Sequence, residues 1–385
     1  MRQGDTLWDK RFVLINLTLF LIFSNISFFY LYPLALTQMG CQHFLIGLVV
    51  GIFSAVTVLS RPFMGKLAAR HGEPRLIIFG ITAILVASFS YIFEHAVDIS
   101  VMITRAVHGI GFSAFIAGSF SLIAKAFPAT KRAQAYGVVG AALMGAAALC
   151  PPLGEILISK KGFEGLYAVA CIAAACALIL MAMFSKHISL PVSKGVRTPV
   201  HYTKIIRDHS LAWVLLSTLI FAHCQSTVLN FVALLARSKG VLSGPFFLIT
   251  FSVAIFFLMG FARKIDRFGK RRFLRLCYPL LIAGLFTLPG SMGTELSFAP
   301  ALLFGSAMGF LFPAHNALAA DHGGMTEKPG VMSLFTAVYD TGFVTGAVVS
   351  GWISQQIGLA HLFLMTGSVA MAGFGIALFS PIKRD

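Results

Sequence analysis

The chain has 385 residues, of which 57% are hydrophobic and 11% charged, with a mean hydropathy of +0.85; soluble domains hold ~45–50% and ~25%. Long apolar blocks containing much of its 37 Phe exclude a disordered chain, a disulfide scaffold and a collagen, and place it in a membrane. A net charge of +16 would suggest nucleic acid in a soluble protein, but basic residues also collect in the cytoplasmic loops of membrane proteins, so no nucleic-acid partner is implied.

A membrane-crossing helix needs ~20 mostly apolar residues. In chain order the blocks fall at about 11–33, 44–68, 76–93, 99–126, 133–158 and 164–186. A connector at 187–208, with Lys194, Arg197, Lys204, Arg207 and two prolines, reads as a surface linker. Six more blocks follow, at about 209–236, 243–265, 273–291, 296–320, 329–354 and 360–381. The first block runs into Pro33 rather than a small-residue cleavage site, so it reads as a retained span. The predicted fold is therefore all-α: twelve transmembrane helices in two six-helix bundles, 1–186 and 209–385, joined by a cytoplasmic linker. The six cysteines include no CxxC and no zinc-like spacing, and five sit in apolar blocks as small core residues.

Charge sets an expected orientation. With the N-terminus inside, inside segments hold 24 basic residues and outside loops four, while Arg61 and Arg105 fall within spans; this puts both termini in the cytoplasm. The halves repeat as well. Arg70 and Arg267 lie 197 residues apart, as do Gly145 and Gly342, and Gly154 and Gly351. Six spans is an even number, so both copies run the same way, as in a parallel repeat about the membrane normal. Small residues at Gly137, Gly140 and Gly145, and at Gly342, Gly346 and Gly351, are expected to let helix backbones approach closely.

Over essentially its whole length the sequence resembles the major facilitator superfamily of secondary transporters. The family's loop signature Gly-x-x-x-Asp-Arg-x-Gly-x-Arg-Arg is matched after span two from Gly65 through Arg70 and Gly72 to Arg75, with Ala69 in place of the aspartate. Its echo after span eight holds Asp266, Arg267 and Gly269. Span four has the family's arginine and Gly-x-Gly as Arg105, Gly109 and Gly111; the span-five exporter motif is partial, with Gly137, Pro151 and Gly154 kept. Arg61-Pro62, Phe312-Pro313 and Tyr339-Asp340-x-Gly342 resemble small bacterial permeases of the drug- or sugar-efflux type.

The resemblance implies that spans one, four, seven and ten line a central cavity, which makes Asn25, Tyr30, Tyr32, Arg105, His108, His223, Gln225, Asn230, His315 and Asn316 its candidate residues. It also implies a role for Arg105 in proton coupling or recognition of substrate charge; no local acid is expected to account for its burial. One arginine and three histidines without a mid-span acid favour an anionic, zwitterionic or neutral amphipathic solute. No metal site is expected, because no carboxylate stands ready to orient the histidines.

Proton carriage falls to Asp340, about 16 Å into span eleven, with Glu155 and Arg105 as further candidates. A conformational latch is expected from Arg70, Gly72, Asp266, Arg267 and Gly269, and from pairing of Arg61 with Asp340, whose depths differ by ~6 Å. There is no P-loop, Gly-x-Ser-x-Gly or HExxH, so ATP-driven pumping and hydrolysis have no machinery. The expectation is a non-enzymatic secondary transporter, exporting a small organic solute by alternating access. It would need no cofactor beyond a proton gradient and act as a monomer in the cell membrane, the inner one if bacterial. Within transport the alternatives are an importer or a metal-ion exporter; outside it, a membrane receptor.

Overall fold

The computed structural model describes residues 10–126, 129–185, 208–322 and 327–379, and these are helical apart from short connections. The first half holds α1 (Lys10–Phe28), α2 (Tyr32–Gln38), α3 (His43–His71), α4 (Glu73–Ser90), α5 (Ile99–Ala126) and α6 (Ala129–Ser185). The second holds α7 (His209–Ser238), α8 (Gly244–Phe268), α9 (Lys270–Ser291), α10 (Phe298–Ala320) and α11 (Lys328–Phe379). Apart from Asp208, the expected linker at 187–208 lies outside the described residues.

Among the described residues, nine helical stretches are long and apolar enough to cross a membrane, and Gly244–Gly260 is a shorter apolar run. Two of the nine span 50 residues, about 75 Å at 1.5 Å per residue, or about two and a half times a bilayer core. Both fold back at one glycine. In α6 this is Gly162 (φ 66°), and a Cβ built on Gly154 would lie 3.0 Å from Leu166 Cδ1, although in a straight helix the two residues would be about 18 Å apart. In α11 it is Gly358 (φ 84°): Cys224 and Thr227, one turn apart on α7, meet Thr366 and Ser350, which a straight helix would separate by about 24 Å. Each fold-back divides its helix in two, which accommodates the twelve predicted segments.

The first span differs from expectation. It continues to Gln38, interrupted by a single 3₁₀ turn at Phe29–Leu31. Pro33 has no N–H to donate to the Phe29 carbonyl, so the Tyr32 N–H takes that acceptor and tightens the turn.

The chain forms two compact units, residues 1–39 with 55–195 and residues 40–54 with 196–385. In the first, α1 packs on α6, and α4 on α5 and α6. Its core joins Phe12, Leu19, Ile81, Phe115, Val139 and Ala174. In the second, α7 packs on α11, and α9 on α10 and α11. These three pairings correspond between the units, which is the internal repeat in three dimensions. It extends to the loops: Gly72 (φ 86°) separates α3 from α4, and Gly269 (φ 91°), 197 residues on, separates α8 from α9, in a backbone region that side-chain-bearing residues avoid. The start of α3 groups with the second unit because Gly47 lies against Ala347 and Gly351, and Gln355 accepts from Phe44 N–H and donates to Gln42.

The expected close approaches appear at Gly342, Gly346 and Gly351 in α11, and not at Gly137 and Gly145 in α6. A Cβ on Gly342 or Gly346 would lie 2.5 Å from Ala222 Cβ or His223 O respectively. At Gly137 it would meet nothing within 4 Å among the described residues, and at Gly145 only Phe20 at 4.0 Å.

Candidate functional site

In the first unit the polar residues of span four sit inside an aromatic cluster. The 3₁₀ turn at the end of α1 supplies Phe29, α2 supplies Tyr32, the turn after α4 supplies Tyr91, and α6 supplies Tyr167 just beyond its fold-back. The Phe29 ring lies 4.7 Å from Tyr91 and 4.9 Å, edge-on, from His108, and stacks on Tyr167 at 5.8 Å. Tyr32 and Tyr91 meet at 5.2 Å. The Arg105 guanidinium stands 4.9 Å from the centre of the Tyr32 ring and 5.8 Å from that of Phe29, and its Nη1 donates to Tyr91 Oη at 3.5 Å. Arg105 is 4% exposed and His108 wholly buried. Desolvated cation–π contacts of this kind contribute about 2 kcal/mol or more, so ring faces replace part of the hydration the charge has lost.

An acid also reaches this cluster, from a place where sequence reasoning did not look. Glu94 lies in the α4–α5 connection, yet it is only 9% exposed, and among the described residues neither carboxyl oxygen has a hydrogen-bond partner of good geometry. Burial pushes this carboxyl above its ordinary range; Thr104 and the positive charge of Arg105 pull it back only in part, and Asp98 adds repulsion. The only signal available in the sequence was the short spacing between Glu94 and Arg105 across a connection too brief to hold them far apart.

Asn25 is fully buried, and its amide nitrogen donates to Ser88 Oγ and Ala170 O, both at 2.7 Å, tying α1 to α4 and α6. Tyr30 is half-buried, Glu155 on α6 is buried, Arg61 on α3 is half-buried and Arg70 is exposed.

In the second unit, α7 carries a ladder of polar contacts. His315 Nδ1 faces its own helix at Leu311 O (2.7 Å), so this nitrogen bears the proton; Nε2 meets Ser217 Oγ at 2.8 Å, and Ser217 meets Tyr278 at 2.8 Å. One turn and more along α7, His223 Nδ1 meets Thr345 Oγ1 at 3.2 Å, and Gln225 accepts from Tyr339 Oη at 2.7 Å. Asn230 donates to Ser226 of its own helix, while Ser226 donates to Phe343 O. Asn316 and Asp340 are half-buried, on α10 and α11. The side chains of Asp266 and Arg267 lie outside the described residues. Among the described residues no three of His, Cys, Asp and Glu group as metal ligands.

The helix ends are held by charge. Asp208 caps α7, accepting from Ser210 and Leu211 N–H, and faces His322 Nδ1 at 3.0 Å. Burial would raise its carboxyl, but these hydrogen bonds outweigh that and hold it below the ordinary range. Glu73 at the start of α4 pairs with Lys125 and Ser121 near the end of α5.

Repeated bundles of apolar helices that bury hydrogen-bonded polar residues are the architecture of a multi-pass membrane transporter. The chain belongs to the Major Facilitator Superfamily, whose profile matches residues 13–323 and 262–385. It is a secondary transporter and not an enzyme. It is 26% identical over 348 residues to the uncharacterized MFS-type transporter YuxJ of Bacillus subtilis, covering 85% of this chain and 86% of that one. To the uncharacterized MFS-type transporter YhhS of Escherichia coli it is 24% identical, covering 87% and 83%. Among solved structures, it shares the fold of a mutant of the nucleoside transporter NupG, with a TM-score of 0.79 at 13% identity, and of the human organic anion transporter MFSD10 (TETRAN), with 0.70 at 16%; each comparison covers 96% of this chain and 99% of the other.

Proposed function

We propose that the protein exports a small anionic, zwitterionic or neutral amphipathic organic solute by alternating access, with the proton gradient as its energy source and no cofactor. The observation that carries this reading is Arg105, a buried guanidinium packed on aromatic faces where the solute's own charge and rings would find complements. His108 beside it, and His223, Gln225, Asn230, His315 and Asn316 in the second unit, are the proposed solute contacts. Asp340 and Glu155 are the proposed proton carriers, because ionisable acids within spans are where proton relays are built. Arg61 and Asp340 are the proposed latch pair, in place of the aspartate missing at Ala69. Outward transport is supported by the partial span-five motif, and cytoplasmic termini by the 24 to 4 basic bias. The proposed working form is a monomer in a bacterial inner membrane.

The test is a thermal-shift screen of the purified protein against anionic, zwitterionic, neutral and cationic solutes, followed by pH-gradient-driven flux of any hit in liposomes. Binding of the hit should fall at least tenfold in Arg105→Ala and less in Arg105→Lys. A permanently cationic solute whose binding ignores both changes would overturn the reading.

A further inference from the structure

Glu94 is a buried acid that the transport scheme leaves unused. It is about nine-tenths buried, and among the described residues its carboxyl oxygens have no hydrogen-bond partner of good geometry; its N–H donates to Tyr91 O at 3.3 Å, and Tyr91 Oη in turn accepts from Arg105, which puts it beside the Arg105 cluster. The groups acting on it can be named element by element. α5 brings Arg105 and Thr104, α2 brings Tyr32, α6 brings Tyr167, and its own segment brings Tyr91 and Asp98. Asp98 is exposed and occupied in capping α5 through Ser100, so water screens it. Arg105 is therefore the strong charge that Glu94 faces inside the cluster, surrounded by neutral rings.

Two charges in such a place are tolerable only while they sum to zero. With no solute bound, Arg105 and an ionised Glu94 do so. A solute anion at Arg105 would bring the sum to minus one, unless one group takes a proton. We propose that Glu94 is that group: a charge-compensating site that binds a proton from water when Arg105 takes a monoanionic solute, keeping the cluster neutral both empty and loaded. The step forms one O–H bond on the Glu94 carboxyl and consumes one solvent proton. It rests on Arg105 as the solute anchor, and it narrows the solute to a monoanion, since a zwitterion would bring its own compensating charge. The proton on Glu94 loads together with the anion. It leaves with the solute, so export driven by the proton gradient needs more than one inward proton per cycle, which is the task assigned to Asp340 together with Glu155.

Infrared difference spectroscopy of the full chain in nanodiscs tests this without any solute. Stepping from pH 5 to pH 8 should remove a protonated-carboxyl C=O band component that is absent from Glu94→Gln. Arg105→Gln imitates the neutralising effect of an anion and should move that component to higher pH by about one unit or more, whereas Arg105→Lys should leave it near its wild-type position. Melting curves provide a second readout. The carboxyl's folded value is raised, so wild-type stability falls as pH rises through it. Glu94→Gln should therefore melt no lower than wild type at pH 8. Identical spectra for wild type and Glu94→Gln, or a component that ignores Arg105→Gln, would overturn the proposal. Neither result would touch Arg105 as solute anchor, which the binding comparison decides separately.

Discussion

Glu94 and Asp208 are acids at the edges of helices, and their surroundings drive them in opposite directions. Glu94 is buried with no well-formed hydrogen bond to its carboxyl among the described residues, and Asp208 is half-exposed with several. Asp208→Ala removes the cap of α7 and should cost about 1 kcal/mol at neutral pH. Because the folded Asp208 is held below its ordinary value, its contribution is present above about pH 4 and is lost as pH falls through the folded value. The gap in melting temperature between wild type and Asp208→Ala should therefore be open at pH 7 and close toward pH 3; a gap independent of pH would contradict the assignment. At this scale the sequence showed which residues were chemically unusual within the spans, such as Arg105 and His315. It did not show Glu94, since an acid in a connection is ordinarily solvated and only the tertiary fold buries this one.

Among elements, apolar runs marked the spans well, because a helix in lipid must satisfy its backbone internally and so shows as an unbroken block. The 3₁₀ turn before Pro33 and the one-residue fold-backs were not legible: both depend on which carbonyl loses its donor or where a chain can reverse, which hydropathy does not record. The glycine pattern was legible only in part. Small residues in spans five and eleven have unequal neighbours, so Gly346→Val should destabilise the α7–α11 contact by roughly 1–3 kcal/mol through overpacking. Gly137→Ala, whose added methyl meets nothing within 4 Å among the described residues, should be neutral or stabilise its helix by up to about 1 kcal/mol. Thermal melting of the two variants in detergent checks the pair, and equal losses would show that the difference in packing has no energetic meaning.

For the whole molecule, the constant offset of 197 residues anticipated two like bundles, and the matching packing of α1, α4, α5 and α6 with α7, α9, α10 and α11 is its three-dimensional form. The grouping of residues 40–54 with the second unit was not legible, because it depends on glycine contacts made more than 290 residues downstream. Energy coupling belongs to this scale. Asp340→Asn should abolish pH-gradient-driven flux while leaving solute binding measurable, since an amide carries no exchangeable carboxyl proton. Unchanged gradient-driven flux in that variant would remove Asp340 from the mechanism.

The single-residue fold-backs at Gly162 and Gly358 also matter for protein engineering. A reversal made by one residue holds no spare chain, and helix packs against helix immediately on either side of it, as Leu166 does on Gly154. A protease site, epitope or fluorescent domain grafted there would have to separate those helices before it could be housed. The turn around Gly293, with exposed residues at Gly293, Thr294, Glu295 and Leu296, has room to grow and is where a reporter belongs.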